Sequence, residues 1–195
     1  SDLIRHHAVQ MQLMGANSGI QALTEDGSTT RYNYYQGNIQ SKWASGLQAW
    51  KKINYPEIYP NTDWIIYTGA TGIKYDFNVK PGGNASLIKM QFTGSESVSI
   101  RNNTLYIQTS LGEIIEQAPV AWQEENGVRE LVACSFRQNQ DGSIGFDIGQ
   151  YDHSKLLTID PQLIFATYSG STDDNWGYTA TYDNAGNGYS GGIVF

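Results

Sequence analysis

From residue 72 to residue 148 the chain keeps returning to one pattern: apolar side chains alternate with polar ones, and each run closes on a Gly, Pro or Asp break. In GIKYDFNVKPGG, Ile73, Tyr75, Phe77 and Val79 stand two apart before Pro81-Gly82-Gly83. Period two is the mark of a strand with one buried face. LIKMQFTG places Ile88, Met90 and Phe92 on one face, and NNTLYIQTSLGEIIE places Leu105 and Ile107 ahead of a turn at Leu111-Gly112. In RELVACSFRQNQDGSIGFDIG, Leu131, Ala133 and Ser135 oppose Val132, Cys134 and Phe136. An Asp141-Gly142 hairpin signal follows, then the return strand with Ile144, Phe146 and Ile148.

Two stretches break the rhythm. In SKWASGLQAWKKI, Trp43, Leu47 and Trp50 have helical spacing, but Gly46 interrupts it. That predicts at most a short helical turn before a strand at about 48–55. In YPEIYPNTDWIIY, Pro56 and Pro60 flank a predicted turn ahead of the strand Trp64–Tyr67. Near the end, the pattern predicts a hairpin: strand GYTATY, turn DNAGN at 183–187, strand GYSGGIVF.

Composition agrees with an all-β fold. Gly numbers 21 and Tyr 13, only 16% of residues are charged, and long helix-forming stretches are missing. Composition shifts near Asp160-Pro161, after which Gly, Ser, Thr, Asn, Asp and aromatics dominate. A β-rich domain is therefore expected over 1–163 and a second module over 164–195, the latter too short to fold alone. The larger part is long enough to bury a core without crosslinks. Cys134 is the single cysteine, so intrachain disulfides and Cys/His zinc patterns are excluded. It falls on an apolar strand face, where an inert, packed thiol is expected.

The formal charge, 12 − 19 = −7, and a longest basic run of Lys51-Lys52 argue against nucleic acid and against polybasic membrane contact. No apolar run approaches the roughly 18–20 residues that span a bilayer. The first residues, SDLIRHHAVQ, lack the charged-then-apolar shape of a secretory signal, as a processed N-terminus would.

Several patterns invite chemistry. Gly186, Gly188 and Gly191 spell G-x-G-x-x-G, and Gly188, Ser190 and Gly192 spell G-x-S-x-G. Both need a strand-to-helix turn, whereas Gly191-Gly192-Ile193-Val194-Phe195 has no helical character. A triad also needs a histidine. Only His6, His7 and His153 exist, and none follows Ser190. An EF-hand beginning at Asp183 would have Ala185 at position three and Val194 at position twelve, where the loop needs oxygen ligands. A looser oxygen site using Asp173, Asp174, Asp183 or Asn187 competes with simple Asx turns. His6 and His7 are adjacent and point to opposite faces of a strand, so they cannot share a metal, and no metal or cofactor is expected. Glu124, Glu125, Asp147, Asp152 and Asp160 are candidate glycosidase carboxylates, but sequence gives no way to pair them. Among the tryptophans, Trp64 belongs with the core. Trp43, Trp122 and Trp176 lie near polar turns and, with Trp50, are the candidates for sugar-stacking platforms.

Longer blocks point further. Gly37-Asn38 and Ser41-Lys42-Trp43, the Tyr-Pro-x-x-Asp turn at 59–63, Tyr75-Asp76-Phe77 followed by Pro81-Gly82, and Ile159-Asp160-Pro161 together resemble the β-rich domain that precedes SBBP repeats in large bacterial surface and secreted proteins. Asn61 stands where that family often has Gly. The tail DDNWGYTATYDNAGNGYSGG is similar to a single SBBP, or "seven-bladed β-propeller", repeat. The resemblance implies an antiparallel β-sandwich-like domain followed by an incomplete propeller blade, because one repeat cannot close a propeller. Main domain or another chain is then expected to cover the blade's strand edges. The resemblance also implies an exported protein, extracellular or on the surface of a diderm bacterium of the Bacteroidota type. Type IX secretion and a part in adhesion or gliding go with that reading. It carries no catalytic residues.

The expected function is thus a non-enzymatic structural or interaction module. Its partners would be other domains of the full-length protein, the secretion machinery or surface proteins, with glycan an option, and with neither nucleic acid nor membrane insertion. A carbohydrate-binding module is the alternative, and a glycoside or other hydrolase the third reading.

Overall fold

The period-two run around Phe77 forms a strand with two unlike faces, and the other strands are arranged about it. A computed structural model describes residues 7–35, 37–69, 72–164, 175–182 and 188–194, with side chains through Pro161. The strands are β1 (Gln10–Leu13), β2 (Leu23–Tyr34), β3 (Ala44–Tyr59), β4 (Thr62–Gly69), β5 (Gly72–Val79), β6 (Met90–Thr93), β7 (Ser97–Arg101), β8 (Thr104–Thr109), β9 (Gly112–Glu125), β10 (Val128–Val132), β11 (Cys134–Gln138), β12 (Ile144–Ile148), β13 (Leu157–Ile164), β14 (Asn175–Tyr182) and β15 (Gly188–Val194). A nine-stranded antiparallel sheet runs β2-β3-β4-β5-β13-β9-β8-β7, with β10 also on β9. A four-stranded sheet, β1-β6-β12-β11, packs against it as a sandwich.

Burial follows the alternation. Tyr75, Phe77 and Val79 face inward and are buried, together with Ile88, Met90, Leu105, Ile107, Ile144, Phe146, Leu157 and Ile159. Phe77 meets Phe146 of the opposite sheet edge to face, centroids 6.0 Å apart, and stacks on Trp64 at 6.4 Å. The Phe77–Phe146 contact joins the two layers, and the Trp64 stack braces Phe77 within its own sheet. Cys134 is half-buried. Burial and the nearby Asp147 carboxylate push its thiol up to about 12, consistent with the inert thiol expected from sequence.

Three local expectations need correction. The short helical turn before the strand is there, as a single 3-10 turn at Gln40–Lys42, but the strand starts at Ala44 rather than at about 48 and runs to Tyr59. Gly46 does not end a helix but makes a bulge: its φ is +69°, and its N–H donates to Asn33 Oδ1 at 2.8 Å. Nor do Pro56 and Pro60 bound a turn, because β3 runs on through Pro56 to Tyr59. The β3–β4 register slips between Tyr55↔Trp64 and Tyr59↔Thr62, and the extra residues are absorbed at Glu57, with φ +55°. Asp63 holds this bulge. It accepts from the Glu57 N–H at 2.9 Å and pairs with Lys80 Nζ at 2.7 Å. Asn61, also at positive φ (+54°), sits where glycine would be easiest, and asparagine tolerates that conformation. Third, the 131–136 run is not one strand. The chain leaves the large sheet after Val132 and enters the small one at Cys134.

β14 and β15 form the expected antiparallel hairpin, with a register irregularity between Gly177 and Thr179. Its turn at 183–187 lies outside the described residues. Among the described strands these two pair only with each other, so the expected strand pairing with the main domain is not made there.

Phe77→Ala is expected to lower unfolding free energy by about 3–5 kcal/mol, read from denaturant melts. Leu131→Ala, at a position 74% exposed, should change it by less than about 0.5 kcal/mol. Equal losses at the two sites would contradict the sandwich core.

Candidate functional site

Strand β5 turns Lys74, Asp76 and Asn78 to the face opposite the core. Its pairing with β13 runs Leu157↔Val79, Thr158↔Asn78 and Ile159↔Phe77, and ends there. One further step of the same register sets Asp76 across from Asp160. Asp76 Oδ1 accepts from the Tyr67 hydroxyl at 3.2 Å, and Asp160 Oδ2 lies 3.6 Å from Lys74 Nζ. Burial, with the Asp160 carboxylate adding to it, pushes Asp76 up to about 6. Tyr67, Lys74 and Arg129 act in the opposite sense. Burial and the same two carboxylates push the Tyr67 phenol well up, again opposed by Arg129. Arg129 belongs to β10, beyond β13 and β9, so the sheet must curl to bring it within electrostatic reach of β4 and β5. Its guanidinium lies over the Trp122 ring, 4.6 Å from the centroid, and pairs with Glu124 at 3.2 Å.

A second polar pair lies on the core side. The Tyr75 hydroxyl donates to Glu116 Oε2 at 2.9 Å and touches Met90 Sδ at 3.5 Å. Glu116 is 2% exposed, and burial pushes its carboxyl up to about 7 although Tyr75 pulls it down. Burial raises Tyr75 strongly, and the facing carboxylate adds to that. Neither group reaches solvent, so this pair can store charge but cannot meet a substrate.

The third feature is the β2–β3 ribbon. Tyr32 faces Leu47, Tyr34 faces Ala44, and Gly27 faces Trp50. Gly27 has no side chain because Trp50 and Gln48 cover it; a Cβ there would lie 2.9 Å from Trp50 Cζ3. At the tip, Tyr35 and Trp43 meet edge to face at 5.3 Å, and Trp43 Nε1 donates to Gly37 O at 3.0 Å. Leu23, Tyr32, Tyr34, Tyr35, Ile39, Trp43, Leu47 and Trp50 are all exposed. So many large apolar groups on one solvated ribbon exceed the scattered surface apolars of a monomer. β2 also ends the strand order, and among the described residues one of its backbone edges has no strand partner.

Residues 1–162 match the family described as a domain of unknown function, DUF7948. The chain belongs to this family. None of the curated proteins and none of the solved structures is significantly similar to it.

Within the DUF7948 domain, Trp43 is exposed as expected and Trp50 is exposed as well, whereas Trp122, expected at the surface, is half-buried beneath Arg129, and Trp64 packs against the core as expected. The side chain of Trp176 lies outside the described residues, as do His6, Asp173, Asp174, Asp183 and Asn187. His7 bonds to Gly94 O and Ser110, and His153 packs on Tyr151. Gly188, Ser190, Gly191 and Gly192 lie on β15. Of the candidate carboxylates, Glu124, Glu125 and Asp147 pair with Arg129, Lys155 and Arg137, and Asp152 caps the turn at Ser154. Asp160 is the one that the β5–β13 register, continued by a step, would set across from Asp76, and it helps push that carboxyl up. No group of three or more His, Cys, Asp or Glu among the described residues is placed to hold a metal. Two depressions on the described surface, one beside Asp26–Thr29 and one beside Gln123 and Lys155, open broadly to solvent.

Glu116 sets a pH dependence. Its folded value lies above its ordinary 4.5, so its stabilising contribution is complete below that value and lost as pH rises through about 7. The domain should be more stable near pH ~5 than near pH ~8, by up to about 3 kcal/mol from this group. Glu116→Gln keeps an acceptor for Tyr75 and should flatten the profile while raising the alkaline melting temperature. An unchanged profile in that variant would rule Glu116 out as the source.

Proposed function

We propose that this domain is a non-enzymatic structural and interaction module of an exported bacterial cell-surface protein. In this reading it stands ahead of SBBP repeats, and residues 164–195 begin an incomplete propeller blade. Its partners are the following repeats, secretion machinery or other surface proteins. The observation that carries the reading is the exposed aromatic β2–β3 ribbon with its open edge. Rings spaced along a projecting ribbon give large contact area at low entropic cost, and the unpaired edge offers backbone hydrogen bonds to an added strand. The sequence blocks shared with the SBBP-associated domain also support it. Two of them, Tyr75-Asp76-Phe77 and Ile159-Asp160-Pro161, occupy adjacent strands at the centre of the large sheet. A non-enzymatic role is favoured because the strongly perturbed carboxyls are a core residue, Glu116, and a partner of Tyr67, Asp76, rather than groups lining a cleft.

A carbohydrate-binding role is the second reading, favoured by the exposure of Trp43 and Trp50 beside the amide side chains Asn33 and Gln48. On this reading Trp43→Ala should weaken glycan binding about tenfold or more, measured on an array with the folded variant.

Oxidative footprinting separates the two. In a native chain extended by its following repeats and displayed on cells, Tyr35, Trp43 and Trp50 should be markedly protected compared with the 195-residue chain. Equal labelling in both contexts would remove the ribbon as a protein contact and the leading reading with it.

A further inference from the structure

Asp76 and Asp160 stand where β5 and β13 part. Their ladder stops at Ile159↔Phe77, although β5 extends back to Gly72 and β13 continues to Ile164 on β9 alone. The β13–β9 register also slips between Asp160 and Gln162, across Pro161, which has no N–H to give. The ladder therefore ends one step before the register would set the two carboxylates across from each other. Asp160 Oδ1 is buried and has no hydrogen-bond partner. Its other oxygen faces Lys74 at 3.6 Å, too far for a hydrogen bond. A buried acceptor without a donor is costly. The group across the fork that can supply a donor is the Asp76 carboxyl in its protonated form, and two facing carboxylates resist ionising together.

We propose that Asp76 carries a proton that it donates to Asp160 and that loss of this proton parts β5 from β13, so that the fork is closed in acid and opens toward neutral and alkaline pH. The charged and titratable groups around the pair are Tyr67 of β4, Lys74 of β5 and Arg129 of β10, whose own partner is Glu124 of β9. Lys52 of β3 stands opposite Tyr67 but is paired with Glu25 of β2 at 2.8 Å. Lys74 and Arg129 favour the ionised pair, which keeps the transition on the acid side of neutrality. On the core face, Tyr75 bridges to Glu116 without touching the dyad. β13 also carries the chain out of the region matched to the family. Opening would thus loosen the junction between the sandwich and whatever follows, a control independent of the ribbon's role as a contact.

Carboxyl carbon NMR and amide exchange on the 195-residue chain test this, in a Glu116→Gln background that removes the other raised acid. Asp76 should titrate near 6, and Asp160→Asn should move it down, with burial still holding it above the ordinary carboxylate range. Protection of the Phe77, Asn78, Thr158 and Ile159 amides, corrected for intrinsic exchange, should fall about tenfold between pH ~5 and pH ~8. In Asp160→Asn that fall should vanish. Should Asp160→Asn not fold, Asp76→Asn serves for the exchange measurement and should likewise be flat. An ordinary Asp76 midpoint, a midpoint that ignores Asp160→Asn, or pH-independent protection in the parent would each overturn the proposal.

Discussion

The fold depends on β5 serving two unlike environments at once. Its inward residues, Tyr75, Phe77 and Val79, are buried against the four-stranded sheet, while Lys74, Asp76 and Asn78 on the other face meet charged and polar neighbours from β4 and β13. A one-residue slip would exchange the two sets, placing Asp76 in the aromatic core and Phe77 among the charges. Register is thus enforced from both faces. The same strand carries the fork with β13, which is bridged on the core side by the Tyr75–Glu116 hydrogen bond and on the outer side by the Lys74–Asp160 pair.

That arrangement concentrates order at the centre of the large sheet and leaves its β2 end thin. Burial rises along β3 from exposed residues at its start to Ile58 and Tyr59 in the core. The Tyr59 hydroxyl, donating to Met14 O at 2.9 Å, fastens this buried end to the segment that follows β1. On the Ala44 side of Lys52, where the pairing with β4 ends, the described part of the β2–β3 ribbon is held by its own cross-strand pairs and rings. A two-stranded ribbon is marginal by itself, so its conformation rests on the anchored end and on aromatic packing such as Tyr35 with Trp43. Aromatic residues here stiffen the ribbon and face solvent together, a combination suited to contact.

Alternation revealed the strands that have one buried face. β5, β8 and β12 lie where period two places them, because burying one face of a strand imposes that period. It misled where a strand is solvated on both sides. Trp43, Leu47 and Trp50 mimic a helix because the ribbon has no buried face to impose a period, and a bulge at Gly46 shifts the phase. Pro56 misled for a related reason: the bulge at Glu57 lets proline lie within a strand without breaking its ladder. At the candidate sites, the exposed tryptophans could be read as surface groups from their polar surroundings. The Asp76–Asp160 contact could not, since it joins positions far apart in sequence through a register known only once β13 is placed. Glu116 was hidden for another reason. It shares the inward phase of Ile114, opposite buried Leu105, but a carboxylate reads from sequence as a solvent-facing residue, and the Tyr75 hydroxyl helps make its burial tolerable.

The same residues bear on whether such a domain should be read as an enzyme. Perturbed carboxyls are a sign of active sites when they are accessible to a reacting molecule. Glu116 is sealed in the core, and Asp76 is bound by Tyr67 and faced by Asp160 at a strand junction. Burial is the largest cause of both shifts, within the core for Glu116 and on the outer face of the large sheet for Asp76. The exposed ribbon has the reverse character, with large solvated rings and ion pairs confined to its anchored end, where Lys52 meets Glu25. Among the described residues, the perturbed carboxyls and the large exposed rings thus lie on different parts of the domain, an arrangement that supports the proposed role in contact.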